Sequence, residues 1–182
     1  MCTALEVETI SEHCSQVLNL NDAQLGDEYY YQSLPLCVID AVYSIGVNYS
    51  STRNTVIRYC GYFNITRLRE NRHSLPDIEF QQSMEDLLHR FEEFGVETFK
   101  EEIFNNRQRT SARNGIPKAE AVLLFSQTIR GYNINYFQDI DNIIENDDFD
   151  NAIRRIPGQT SGISLKYFFM LAGFEDLIKP TE

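Results

Sequence analysis

Apolar residues recur along the chain at intervals of three and four, and no stretch sustains the two-residue alternation of a half-buried strand, so the expected fold class is all-α. In the opening stretch Leu5, Ile10, Cys14, Val17 and Leu18 fall on roughly one face, which predicts an amphipathic helix over residues 4–20. Asn21 and Asp22 interrupt the pattern ahead of Tyr29, Tyr30 and Tyr31. Pro35 then opens Leu36 to Ile45, a run apolar nearly all round, as a helix at the centre of a core would be. Proline is accommodated in a first turn because the amide it lacks has no helical partner there. Gly46 ends or bends this helix, and Ser50, Ser51 and Thr52 are cap candidates for a second one through Val56, Ile57 and Tyr59.

A basic loop around Arg67 to His73 and the breaker Leu75-Pro76-Asp77 follow. From Ser83, the spacing of Met84, Leu87, Leu88 and Phe91 predicts a helix ending at Gly95, with Glu85, Asp86, Glu92 and Glu93 opposite. A short helix is expected over 96–104 and an exposed loop or helix end over 105–115. Pro117 should start a strong helix running to about Gly131. Residues 140–153 are acidic and helical in period. The chain has neither an internal repeat nor a low-complexity tract.

With 182 residues, 42% hydrophobic and 12% aromatic, the chain can bury one substantial core. The expected organisation is an N-terminal helical segment, 1–28, packed on a helical domain, 29–182. No run approaches the roughly 18 apolar residues of a membrane span, and the N-terminus lacks a basic start and an apolar stretch, so no membrane partner and a cytoplasmic location are expected. Cys2, Cys14, Cys37 and Cys60 are spread widely and do not cluster with His13, His73 or His89, so neither a metal nor a cofactor is expected, and Cys37 reads as a buried thiol.

The net charge of −11 argues against a protein that coats DNA by charge alone. Its distribution changes that picture. Of 16 Lys and Arg, 5 lie within Arg53 to Arg72, 4 within Arg107 to Lys118 and 3 within Arg154 to Lys166, segments that together hold one acid, Glu70. Three basic strips on an acidic body would make one face only if the fold gathers them.

The most informative stretch runs from Ile153 through Arg154-Arg155-Ile156-Pro157-Gly158-Gln159-Thr160-Ser161-Gly162 to Lys166 and Gly173. One helix enters Pro-Gly, a short turn of small and polar residues follows, and a second apolar helix leaves. Such a turn leaves backbone N–H groups unpaired at a helix start, where the dipole favours an anion such as a DNA phosphate. Gly158, Gln159, Thr160, Ser161 and Gly162 are the candidate amide donors, and Arg154, Arg155 and Lys166 would add charge.

This stretch resembles the helix-hairpin-helix superfamily of DNA glycosylases related to endonuclease III, whose hairpin of the type Leu-Pro-Gly-x-Gly closes on the DNA backbone; Ile156-Pro157-Gly158 looks like its start. Gly115-Ile116-Pro117-Lys118-Ala119-Glu120 is similar to the Gly-x-x-x-Lys-Ala stretch found about forty residues earlier in that family, and the run from Leu36 to Thr52 is similar to its first core helix and DNA-facing loop. The resemblance implies a glycosylase-like helical bundle that grips duplex DNA, with Lys118 and Arg113 added to the candidate contacts, and excision of a modified or damaged base as the activity. Two positions depart from it. Five residues beyond Pro157, where lyase members carry a nucleophilic lysine, stands Gly162. At 23 to 24 residues beyond, where a catalytic aspartate is usual, stand Pro180 and Thr181, with Glu182 following. A monofunctional glycosylase of unassigned catalytic acid, an inactive DNA-binding descendant and an acidic protein-interaction module are thus the readings the residues leave open. Tyr29 to Tyr31 could stack on an extruded base but read better as core, and Asp40 reads better as a buried hydrogen-bonding group than as a catalytic acid.

Overall fold

The computed structural model describes residues 9–11, 13–14 and 25–173. The described residues form six regular helices longer than two turns: α1 (Leu34–Tyr43), α2 (Tyr49–Phe63), α3 (Met84–Thr98), α4 (Lys118–Gly131), α5 (Asp147–Arg154) and α6 (Ile163–Leu171). Backbone pairing of strand type among them is confined to two isolated bridges, Tyr31 with Leu68 and Arg109 with Pro117, so this part of the chain is all-α. None of these helices is long and apolar enough to cross a membrane. The helix expected over 4–20 lies outside the described residues except at 9–11 and 13–14, which are helical; most of the 1–28 segment lies outside them too.

α1 is the axle of the fold. All ten of its residues are buried, and it packs against α2, α4 and α6, while α3 and α5 complete the bundle by packing on α4. Its apolar circumference requires this central place, since each buried Leu, Ile or Val side chain gains roughly 1.5–3 kcal/mol over exposure. Cys37 is buried here as expected, its thiol directed at the carbonyls of Ser33 and Leu171. Asp40 is the polar exception: Tyr31 Oη donates to one carboxylate oxygen (2.6 Å) and Ser44 Oγ to the other (2.9 Å). Tyr31 is wholly buried and serves this carboxylate. Burial raises the Asp40 pKa above the usual carboxylate range, with the hydroxyl donors opposing the shift.

Local chemistry sets the boundaries. Ser83 and Asp86 form a reciprocal capping box that starts α3, and Gly95, with φ +73°, breaks that helix where the sequence places its end. The short helix expected after Gly95 is present, continuing into a π-helical turn at Phe99–Ile103 that stacks Phe99 on Phe91, with ring centroids 3.7 Å apart. Two expectations shift. The cap of α2 is Asn48, whose side chain accepts from the Ser50 amide (3.0 Å), in place of the hydroxyl residues after it. The acidic stretch 140–153 is two elements, a 3-10 turn at Phe137–Ile143 and α5, because Glu145 takes a left-handed conformation (φ +56°) and Asn146 then caps α5 through the Phe149 amide.

Candidate nucleic-acid interface

α5 buries Phe149 and Ile153 and delivers the chain to Ile156, which is also buried. There Pro157 and Gly158 turn it back: the Gln159 amide donates to Ile156 O (2.9 Å), and Gly158 has φ +87°, the third-position geometry of a type II turn. A second turn follows, with the Gly162 amide on Gln159 O (2.9 Å), and Gly162, also left-handed (φ +72°), is the N-cap of α6. Gly162 itself has no side chain to cap the helix, and Ser161 Oγ accepts from the Ile163 amide instead (3.4 Å). Pro157, Gly158, Thr160 and Ser161 are exposed, and the amides of Gly158, Thr160 and Ser161 meet no acceptor among the described residues. The unfilled donors thus belong to exposed residues of the hairpin.

The hairpin leans on a second loop. Residues 108–118 close on themselves through the Thr110 amide on Ile116 O (2.9 Å) and the Lys118 amide on Gln108 O (2.8 Å), and Arg109 donates across the loop to Gly115 O. Thr110 faces the hairpin so closely that a Cβ on Gly158 would lie 2.6 Å from its Oγ1. At the base of this loop Gln108 Nε2 donates to Ser51 Oγ (3.1 Å) and Asn106 Nδ2 to Thr55 Oγ1 (2.9 Å), which joins it to the first turns of α2. The fold therefore links the α2 start, the 108–118 loop and the hairpin in one continuous series. Arg53, Arg113 and Arg155 are exposed along it, and none of their guanidinium groups meets a partner among the described residues.

Of the ten residues expected to meet DNA, Gly158, Thr160, Ser161, Arg155 and Arg113 are exposed on this series. Lys166 is half-buried, in a groove between α5 and α6 lined also by Asp147, Asp150 and Phe169. The other four are buried or tied up in contacts within the protein. Gln159 is the inward member of the turn and is buried. Arg154, half-exposed, pairs with Asp150 and donates to Thr160 O (3.1 Å), so its guanidinium is committed to bracing the hairpin. Its guanidinium lies over Gly162, where a Cβ would be 2.6 Å from Arg154 Cζ, but the left-handed backbone (φ +72°) is what calls for glycine five residues beyond Pro157. Lys118 is 2% exposed, its Nζ donating to Tyr43 O (2.9 Å) and Ile45 O (2.8 Å), and burial pushes its pKa down to about 8. Pro180, Thr181 and Glu182 lie outside the described residues.

The basic strips join only in part. Arg67 to Arg72 belong to the other end of α6: Arg69 lies between the rings of Tyr30 (5.6 Å) and Phe137 (5.1 Å) and donates to Tyr31 O, while Arg72 pairs with Asp27 (3.1 Å). Arg69 and Arg72 line a cleft of about 500 Å³ shared with Ala172 and Gly173, beyond the last turn of α6. Sequence reasoning missed Asn106, Gln108 and Thr110, the residues that join the loops, because contacts between distant polar residues leave no periodic trace. The burial of Lys118 did leave one, since Lys118, Val122, Phe125 and Ile129 fall on one helical stripe.

Over residues 8–182 the chain matches a family described as a domain of unknown function (DUF8548). No curated protein and no solved structure matches it. Spanning nearly the whole sequence, the match shows that this chain belongs to the DUF8548 family.

Proposed function

We propose that the protein binds duplex DNA through the phosphate backbone, using the α5–α6 turn as a helix-hairpin-helix of the DNA glycosylase kind. The observation that carries this reading is the hairpin itself: the amides of Gly158, Thr160 and Ser161, all on exposed residues, meet no acceptor among the described residues, beside a helix start whose N-cap is glycine. Backbone donors of this kind suit an anion, and a phosphate diester supplies one without a base being read. The adjoining Arg113 and Arg155 support a polyanion over a single small anion, because each can neutralise a further phosphate. The bundle around α1 supports the glycosylase likeness at the level of an all-α core only. Gly162 carries no side-chain amine, which favours binding without Schiff-base chemistry at that position.

Fluorescence anisotropy with a labelled 20-base-pair duplex tests the proposal. The wild-type protein is expected to bind at low salt, and the double change Arg113→Glu with Arg155→Glu to weaken binding by about 100-fold, the loss of two phosphate contacts plus the repulsion that replaces them. Equal affinity of wild type and variant would reject it.

A further inference from the structure

We propose that Lys118 is a positioning residue for the nucleic-acid face: from inside the fold its amine ties the 44–48 loop to the closed loop 108–117, and so fixes where the two present Arg53 and Arg113. The inference rests on the DNA-binding reading above and assigns that face an internal support. α1 ends at Tyr43, so its last carbonyls lack helical partners, and the chain must then turn through Gly46 (φ +69°) to reach Asn48, the cap of α2. Lys118 reaches this turn from a different element. Its Nζ donates to Tyr43 O and Ile45 O and lies 5.7 Å from the Tyr43 ring centroid. The backbone amide of the same residue closes the neighbouring loop on Gln108 O. One residue thus holds the exit of α1 with its side chain and the base of the 108–117 loop with its main chain.

An apolar residue of similar length would fill the space but leave two carbonyls without donors, so a purely packing role does not call for an amine there. Two donors are what the site uses, and the amine of Lys118 supplies both. The pairing matters to the surface because the α2 start and the 108–117 loop also touch through Ser51 and Gln108, so releasing one end of the joint frees both loops.

The test compares wild type with Lys118→Met, Lys118→Gln and Val122→Ala, the last a core truncation one turn along the same helix. Hydrogen exchange over 44–48 and 108–117 is followed in the free proteins, and duplex affinity is measured at a temperature where each is folded by circular dichroism. Lys118→Met is expected to speed exchange in both loops and to weaken DNA binding about tenfold, the equivalent of one well-placed contact. Lys118→Gln, which keeps an amide donor on a shorter stem, should fall between Met and wild type, and it carries the comparison if Lys118→Met does not fold. Val122→Ala should lower stability while leaving both loops and the affinity within about twofold of wild type. Lysine variants whose loops and affinity follow Val122→Ala overturn the positioning role alone; wild-type protein that binds no duplex overturns the DNA-binding function, and this role with it.

Discussion

Glycine stands at 158 and 162 because both backbones are left-handed, and at 158 a further constraint is measurable. Both have left-handed backbones, but beyond that Gly158 abuts the neighbouring loop at Thr110, whereas Gly162 lies under the guanidinium of Arg154 from its own hairpin. Gly158→Ala is expected to cost about 2 kcal/mol in urea unfolding, from backbone strain plus displacement of Thr110. A cost near zero would mean that the two loops are not in contact. At the buried Asp40 the sign of the pH dependence follows from burial. Its folded pKa is raised, so the stability it lends is complete below the unfolded carboxyl value, about 3.9, and is lost as pH rises through the folded value. Asp40→Asn should therefore gain on wild type as pH is raised from 4 toward neutrality, and a constant difference across a urea-denaturation series would contradict this assignment.

Among the elements, the hairpin separates charges that look alike in sequence. Arg154 and Arg155 are adjacent, yet the first is committed to Asp150 and Thr160 while the second faces outward. Arg155→Ala or Arg113→Ala should each reduce the salt slope of duplex binding by about one, whereas Arg154→Ala should lower thermal stability and leave that slope unchanged. Measuring the dependence of log K on log salt for the three variants checks this. The same contrast shows what periodicity can and cannot carry. The bounds of α3 and α4, the central α1 and the helix–turn–helix at 147–171 are legible because capping chemistry, apolar spacing and Pro-Gly act within a few residues of one another. The break at Glu145, the Asn48 cap and the inward turn of Gln159 were not, because a left-handed residue other than glycine and the choice among neighbouring polar side chains depend on packing partners distant in sequence.

At the scale of the molecule, segregation would reconcile a net charge of −11 with the proposed DNA binding: the exposed Arg53, Arg113 and Arg155 lie along one linked series of loops, while Arg69 and Arg72 line the cleft at the far end of α6. Only the part of the basic composition that the fold gathers can act on a phosphate backbone, and at high salt even that attraction should fade. The measurement closest to the central claim is a titration of 15N-labelled protein with a short duplex, followed through the backbone amides. Progressive shifts at Gly158, Thr160, Ser161 and Ile163, joined by Arg113 and its neighbours, are the expected result. Shifts confined to the cleft beside Arg69, or none anywhere at a large excess of duplex in low salt, would contradict it.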